Sequence, residues 1–221
     1  MNRPEFVSAV YLRASGKPTA PTSGRKYNQI IALGEMFTRQ WQDEPGQDWT
    51  SLYDFFSNGT VTATDTFTLD TDIRKVSQME GDVVRIVHTD DNVTEYTIVP
   101  ADRLYENRYQ YAVAVQGRNL VFASAFTADS PQFGGTIVVP GYGYSTFPTD
   151  DSTEITVDNP DWLVIRTAAE FVRTDKTRQN QYPNLIAEAQ QLMEKMKEND
   201  GGQIDSAYRP NFFVNSEYTG W

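Results

Sequence analysis

The chain has 221 residues, of which 39% are hydrophobic and 22% are charged, a balance that predicts a folded globular protein of one or two domains. No apolar run approaches the length of a membrane span, and the N-terminus is predicted to be a helix rather than a signal peptide. The net charge of −11 argues against tight binding to nucleic acid, and the lack of cysteine excludes disulfides and thiolate metal ligands and fits a reducing cytoplasm.

Helices are predicted at the N-terminus. Apolar residues recur at helical spacing over residues 4–14 and 26–42, on either side of a Pro- and Gly-containing loop at 16–24. Gly34, inside the second helix, is expected to allow close packing. A further short helix is predicted over residues 48–56, where large apolar residues fall on one side.

From Thr60 the apolar period shortens to two residues, which indicates strands. A helical turn is expected within 101–107. Because the segments are short and separated by turn signals, they predict an antiparallel sandwich or a small barrel. The predicted strands are 60–70, 82–89, 94–100, 109–115, 119–126 and 135–145.

Two more amphipathic helices follow, opened by Pro160 and Pro183, and the second is expected to end at residues 199–202. The helices of both ends are expected to share one bundle, because each has an apolar stripe that needs burial. The predicted core of this bundle comprises Trp41, Trp49, Trp162, Leu163, Phe171, Leu185 and Leu192.

The predicted fold is therefore α+β. Residues 1–57 and 158–200 form the helical bundle, residues 58–157 form the inserted antiparallel β-sandwich or barrel domain, and residues 201–221 form an extended C-terminal tail.

No pattern of catalytic residues is present, and no enzyme activity, metal or cofactor is predicted. His88 is the single histidine and lies in a predicted strand. No glycine-rich phosphate loop occurs. The pair Asp70 and Asp72 and the run 90–92 lack the correctly placed glutamate of a calcium loop, so both are interpreted as turns. The sequons that begin at Asn58 and Asn92 are interpreted as accidental.

The C-terminal tail is rich in aromatic residues that follow no helical or strand period. The tail carries six large apolar residues, Ile204 and five aromatic residues, which would not stay exposed without a partner. The tail is therefore expected either to fold back on its own body or, as the favoured alternative, to dock on another subunit. The predicted docking residues are Tyr208, Phe212, Phe213, Tyr218 and Trp221.

An ordered set of phrases resembles one protein family. In chain order they are FTLDTDIRKV (67–76), VPADRLYEN (99–107), GGTIVVPGYGYSTF (134–147), DNPDWLVIRTAAEFVRTD (158–175) and YPNLIAEAQQLMEKM (182–196). Together they resemble the head-to-tail adaptor proteins of tailed bacteriophages, also called tail tubular protein A in some short-tailed phages. The resemblance covers about residues 1–200.

This resemblance implies a non-enzymatic virion protein at the head–tail interface, assembled in the host cytoplasm. Members form a ring, usually twelvefold, beneath the portal protein, with their helical bundles side by side. The C-terminal segment commonly grips the portal, and the β domain offers a platform for the tail nozzle or the next connector. DNA passes through the lumen without specific binding, and an acidic wall suits its passage.

Two alternatives remain open. One is another tail or neck component, although such proteins are usually dominated by β-structure. The other is a carbohydrate-binding or hydrolytic β module, for which Tyr109, Tyr111, Tyr142 and Tyr144 are the candidate platform residues. Their alternation along strands favours packing on one face of a sheet instead.

Overall fold

The computed structural model describes residues 1–106 and 111–204, and for residues 201–204 it describes the backbone alone. Two compact units are present. The first, here called the helical unit, comprises Met1–Ser51 and the described residues from Ser145 on. The second, the β unit, comprises Leu52–Tyr144. The described residues form four α-helices and a curled half-barrel sheet, which confirms the α+β class.

The helical unit contains α1 (Arg3–Ser15), α2 (Arg25–Gln42), α3 (Pro160–Arg173) and α4 (Tyr182–Ile204). Helices were predicted in all four of these places. The start of α1 is fixed by a capping box, in which the Asn2 side chain accepts from the Glu5 N–H and the Glu5 carboxylate accepts from the Asn2 N–H, both at 3.0 Å. The Asn159 side chain caps α3 in the simpler way, through the Asp161 N–H.

Helix α3 contacts each of the other three helices. Its inward face is almost wholly apolar, and this face forms the centre of the helical unit. Of the core residues predicted from the sequence, Trp41, Trp49, Trp162, Leu163 and Leu185 are buried. Phe171 and Leu192 are partly exposed, and the Phe171 ring packs edge-on against the Tyr11 ring.

Gly34 makes the close packing that was expected of it. A β-carbon at this position would approach Phe147 Cε2 to 2.6 Å and Phe6 Cε1 to 2.8 Å. Both distances lie below van der Waals contact, so the space a side chain would need is occupied by these two rings.

The prediction of a helix over residues 48–56 is wrong. The structure has one 3-10 turn, Thr50–Leu52, followed directly by strand β1 (Tyr53–Thr60). Trp49 and Leu52 are buried, as they would also be in a helix. From Tyr53 onward, however, the backbone pairs with a strand far away in sequence, residues 136–143. Tertiary pairing here overrides a local apolar spacing that suits a helix.

The sheet of the β unit contains the following strands: β1 (Tyr53–Thr60), β2 (Thr66–Thr68), β3 (Ile73–Val76), β4 (Val83–Val87), β5 (Val93–Ile98), β6 (Ala112–Gln116), β7 (Asn119–Phe122) and β8 (Thr136–Gly143). Their order is β1-β8-β4-β5-β6-β7-β2, and β3 pairs with β8 beside this path. The 3-10 turn Ala101–Arg103 confirms the helical turn expected between strands.

The sequence predicted a wholly antiparallel sheet, and this prediction is wrong for one pair of strands. Strands β5 and β6 run parallel, with Thr97 opposite Ala112 and Ile98 opposite Val113. Neighbouring antiparallel strands can be joined by a tight turn, whereas parallel strands need a longer crossover. The segment between β5 and β6, which contains the 3-10 turn, supplies that length.

The core of the β unit is centred on aromatic rings. The Phe122 ring lies 4.9 Å from the Tyr96 ring, 5.0 Å from the Phe126 ring and 5.6 Å from the Phe67 ring, all near edge-to-face. Such pairs add about 0.5–1.5 kcal/mol each beyond the area that they bury. This cluster joins strands that are far apart in sequence.

Candidate functional site

The predicted docking residues Tyr208, Phe212, Phe213, Tyr218 and Trp221 lie outside the described residues. The structure instead shows how the end of α4, from which this segment leaves, is held in the helical unit. Helix α4 continues to Ile204, so the prediction that it ends at residues 199–202 is wrong. The glycines at 201 and 202 cost helix stability, and contacts made just before them oppose that cost.

The centre of these contacts is Asp200, whose side chain is 4% exposed. Its Oδ1 accepts from the Thr50 N–H at 2.9 Å and from the Thr50 hydroxyl at 2.5 Å. Its Oδ2 accepts from the Gln47 side-chain amide. A carboxylate is costly to bury unless its oxygens are hydrogen-bonded, and here both are.

One turn earlier, Lys197 makes a second connection to the same segment. Its Nζ lies 2.8 Å from Glu44 Oε1 and 3.6 Å from Glu194 Oε1. The hydrogen bond to Glu44 is the main reason that the pKa of Lys197 is raised. Together Glu44, Gln47, Thr50, Lys197 and Asp200 form what is here called the α4 anchor.

A stacked tryptophan pair supports the segment that carries half of this anchor. The Trp41 and Trp49 rings stack with their centroids 4.8 Å apart, and both side chains are fully buried. The Trp49 indole N–H donates to the Trp41 carbonyl at 2.7 Å. The segment between α2 and β1 is thereby held on the core before it reaches Thr50.

A second carboxylate, Asp158, lies close to the anchor. Burial raises its pKa above the ordinary value of 3.8, a hydrogen bond from the Ser51 side chain opposes that rise, and the negative charge of Asp200 adds to it. The Asp158 charge is therefore unfavourable in the folded state.

We expect Asp158→Asn to raise the stability of the helical unit at pH 7. A raised folded pKa means that protonation of Asp158 favours folding. This contribution is full below about pH 3.8 and is lost as the pH rises through the folded pKa. Asparagine still accepts from Ser51 but has no charge. Thermal unfolding followed by tryptophan fluorescence should show a higher midpoint than wild type at pH 7 and an equal one near pH 3.

The control for this prediction is Asp161→Asn, in the first turn of α3. Asp161 is exposed and its charge is favourable at a helix N-terminus, so its removal should lower stability at pH 7 by about 0.3–1 kcal/mol. A lower midpoint for Asp158→Asn at pH 7 would contradict the assignment.

The anchor residues were not found from the sequence. Asp200 is 150 residues from Thr50 and 153 residues from Gln47. The local pattern of an Asn, an Asp and two glycines is typical of a helix end, and nothing in it points to a buried hydrogen-bonded carboxylate.

The residues proposed as a carbohydrate platform do not share one exposed surface. Tyr142 is 3% exposed, whereas Tyr111 is 57% and Tyr144 is 48% exposed. Tyr109 lies outside the described residues. The Tyr142 ring packs edge-on against the Tyr53 ring, and the Tyr53 hydroxyl donates to Asp82 Oδ1 at 2.9 Å. Tyr142 is therefore a packing residue.

Around this pair the β unit has an aromatic surface. The Phe55 side chain is 45% exposed, its ring lies 5.8 Å from the Tyr53 ring, and the Arg85 guanidinium lies 5.3 Å from its centre. Met79, which is 41% exposed, accepts from the Tyr142 hydroxyl at 3.9 Å. These contacts hold two large apolar side chains at the surface of the sheet.

The residues considered as ligands or bases lie in turns or directly beside them, and the prediction that His88 is in a strand is wrong, because β4 ends at Val87. His88 Nε2 lies 2.7 Å from the Thr94 hydroxyl, across the turn between β4 and β5. In the same turn Asp90 accepts from the Asn92 backbone and side chain, and these bonds lower its pKa. Asp70 accepts from the Asp72 N–H at 3.0 Å. Over residues 1–106 and 111–204 no group of three His, Asp or Glu residues is placed to hold a metal ion.

The first sequon has a structural role. Asn58 is buried, donates to the Thr68 carbonyl at 3.2 Å and accepts from the Asp70 N–H at 2.6 Å. Its side-chain amide joins β1 to the last residue of β2 and to the segment that follows it.

A scan against models of known protein families finds no match, and a search of curated proteins finds no significant match. Among the described residues, no helix has both the length and the apolar composition that crossing a membrane requires.

Proposed function

We propose that this chain is a head-to-tail adaptor of a tailed bacteriophage, a structural virion protein that works without catalysis, metal or cofactor. The observation that carries the proposal is the α4 anchor. The sequence predicts that α4 ends at residues 199–202, but the buried Asp200 carboxylate binds Thr50 and the helix continues to Ile204. A segment rich in aromatic residues follows directly. A fixed helix end followed by aromatic residues supports docking of that segment on a partner.

In this proposal the helical units form a bundle of α1–α4 and pack side by side in a twelvefold ring beneath the portal. The contacts of α3 with the other three helices support the bundle. Each ring contact is weak, so the monomer does not assemble by itself. The portal is the template, and identical contacts become strong together because each bound copy raises the effective concentration of the next.

The inserted β unit, as a sandwich or barrel, faces the tail and contacts the nozzle or the next connector. The exposed Phe55 and Met79, which both pack on the Tyr53 and Tyr142 pair, support this role, because apolar side chains grouped at a surface are typical of interaction sites. The net charge of −11 suits a lumen through which DNA moves during ejection, since like charge keeps the phosphates from binding the wall.

The experiment measures the mass of the portal ring of the same phage by light scattering, with and without this protein. The full chain is compared with a chain that ends at Ile204 and with a variant in which Phe212 and Phe213 are serine. The full chain should add about twelve copies to the ring. Both altered chains should add few or none, because the aromatic contacts are lost.

A matched control replaces the exposed Tyr111 and Tyr144 of the β unit by serine. This control removes the same kind of side chain from a different surface and should bind the portal as wild type does. No increase in mass with the full chain would overturn the proposal. Equal binding by the full and shortened chains would assign portal binding to another surface.

A further inference from the structure

We infer that Asp200 is the positioning residue of the C-terminal segment: by holding the last turn of α4, it fixes the point from which residues 205–221 reach a partner. This inference rests on the proposed function and deepens it, because it names the residue that sets the geometry of docking.

The position of Asp200 is unfavourable by local criteria. A negative charge near the C-terminal end of a helix opposes the helix dipole. Two glycines follow it inside the helix, and glycine has a low helix propensity. Its side chain is almost fully buried, which disfavours a charge further. The last turn of α4 therefore depends on tertiary contacts.

Those contacts come from one short segment. Thr50 supplies two donors to Asp200 Oδ1, and Gln47 supplies one to Oδ2. Lys197 and Glu44 hold the preceding turn to the same segment. The stacked pair of Trp41 and Trp49 fixes that segment in turn. Asp200 is thus the last residue with a described side chain that joins α4 to the core of the helical unit.

The consequence for docking is entropic. Without the anchor, the residues around the glycines would lose their helical conformation, and the last fixed point of the chain would lie further from the docking residues. A greater length of chain between a fixed point and a binding residue lowers the effective concentration of that residue at its partner, and more residues must be ordered on binding. Portal affinity should therefore depend on Asp200 although Asp200 itself is buried and need not contact the portal.

Two substitutions separate the hydrogen bonds from simple folding. Asp200→Ala removes all three acceptor contacts. Asp200→Asn keeps the shape of the side chain and an oxygen for both Thr50 donors, and it loses only the acceptor for Gln47. We expect Asp200→Ala to weaken binding to the portal about tenfold and Asp200→Asn to weaken it less than about threefold. Amide hydrogen exchange should show faster exchange at residues 197–204 only in Asp200→Ala.

A flexible insertion tests positioning itself. A Gly-Ser linker of about eight residues placed between Ile204 and Asp205 leaves the anchor intact but frees the segment from it. It should weaken binding about as much as Asp200→Ala does. Combining the two changes should weaken binding little further, because both remove the same constraint. A merely structural role of Asp200 predicts additive losses instead.

The outcomes also separate the two proposals. If the wild-type full chain does not bind the portal ring, the proposed function fails and this inference fails with it. If the wild type binds and Asp200→Ala binds equally well, or the losses from Asp200→Ala and the linker add in full, the proposed function stands and the positioning role is wrong. Equal, large losses in Asp200→Ala and Asp200→Asn would also overturn it.

Discussion

Replacing Trp41 by alanine should lower the free energy of unfolding of the helical unit by about 3–5 kcal/mol. The Trp41 side chain is fully buried and stacks on Trp49. Alanine would remove this stack and leave a cavity beneath the segment that carries Gln47 and Thr50. Denaturant unfolding followed by tryptophan fluorescence measures this unit, because none of the four tryptophans lies within residues 52–144.

Two phenylalanine variants are controls for the Trp41 prediction. Trp49→Phe keeps the ring stack but removes the hydrogen bond to the Trp41 carbonyl, which should cost about 1 kcal/mol in addition to the lost volume. Trp41→Phe removes an indole N–H that has no hydrogen-bond partner among the described residues. It should therefore cost less than Trp49→Phe. A loss below about 1 kcal/mol for Trp41→Ala would show that the unit rearranges to fill the space.

Replacing Gly141 by alanine should destabilise the β unit by about 1–3 kcal/mol. Gly141 lies in β8, opposite Asp54 of β1 and Val76 of β3. A β-carbon here would lie 2.6 Å from the Lys75 backbone carbonyl oxygen. The Lys75 carbonyl belongs to the backbone and cannot change rotamer as a side chain can. Strand β3 must therefore move away from β8. Amide hydrogen exchange in peptides covering 73–76 and 136–143 should accelerate.

Gly143, two residues further along the same strand, is the matched control. Its added β-carbon would meet the Phe56 ring at 3.1 Å, and the ring can shift. Both substitutions reduce the flexibility of the unfolded chain equally, so their difference measures the clash with β3. Similar exchange rates in the two variants would contradict the argument.

Patterns over a few residues correctly located most elements. The capped and amphipathic stretches gave all four helices, and period-two alternation located β4–β8 closely. These signals are local, since a residue's place on a helix or strand face depends on its near neighbours. Gly34 also belongs here, because a glycine inside an apolar helix already indicated a close approach.

The misassigned elements have non-local causes. The segment 53–56 has the apolar spacing of a helix, yet it is a strand because β8 offers it a partner more than 80 positions later, as with Tyr53 opposite Tyr142. The parallel pairing of β5 with β6 depends on the path of the crossover, which residue types do not specify. The end of α4 was misplaced because its stop signals are opposed by Thr50 and Gln47.

The sequence by itself determined the α+β class, the places of the helices and the acidity of the chain. Periodicity depends only on residues near one another in the chain, and net charge is a sum over all residues, so neither needs the tertiary structure. Only the tertiary structure decided which side chains hold the end of α4 and which tyrosines face solvent. Asp200 and Thr50 meet because the chain returns to the same place after 150 residues. That return depends on the packing of the whole unit, which no local pattern encodes.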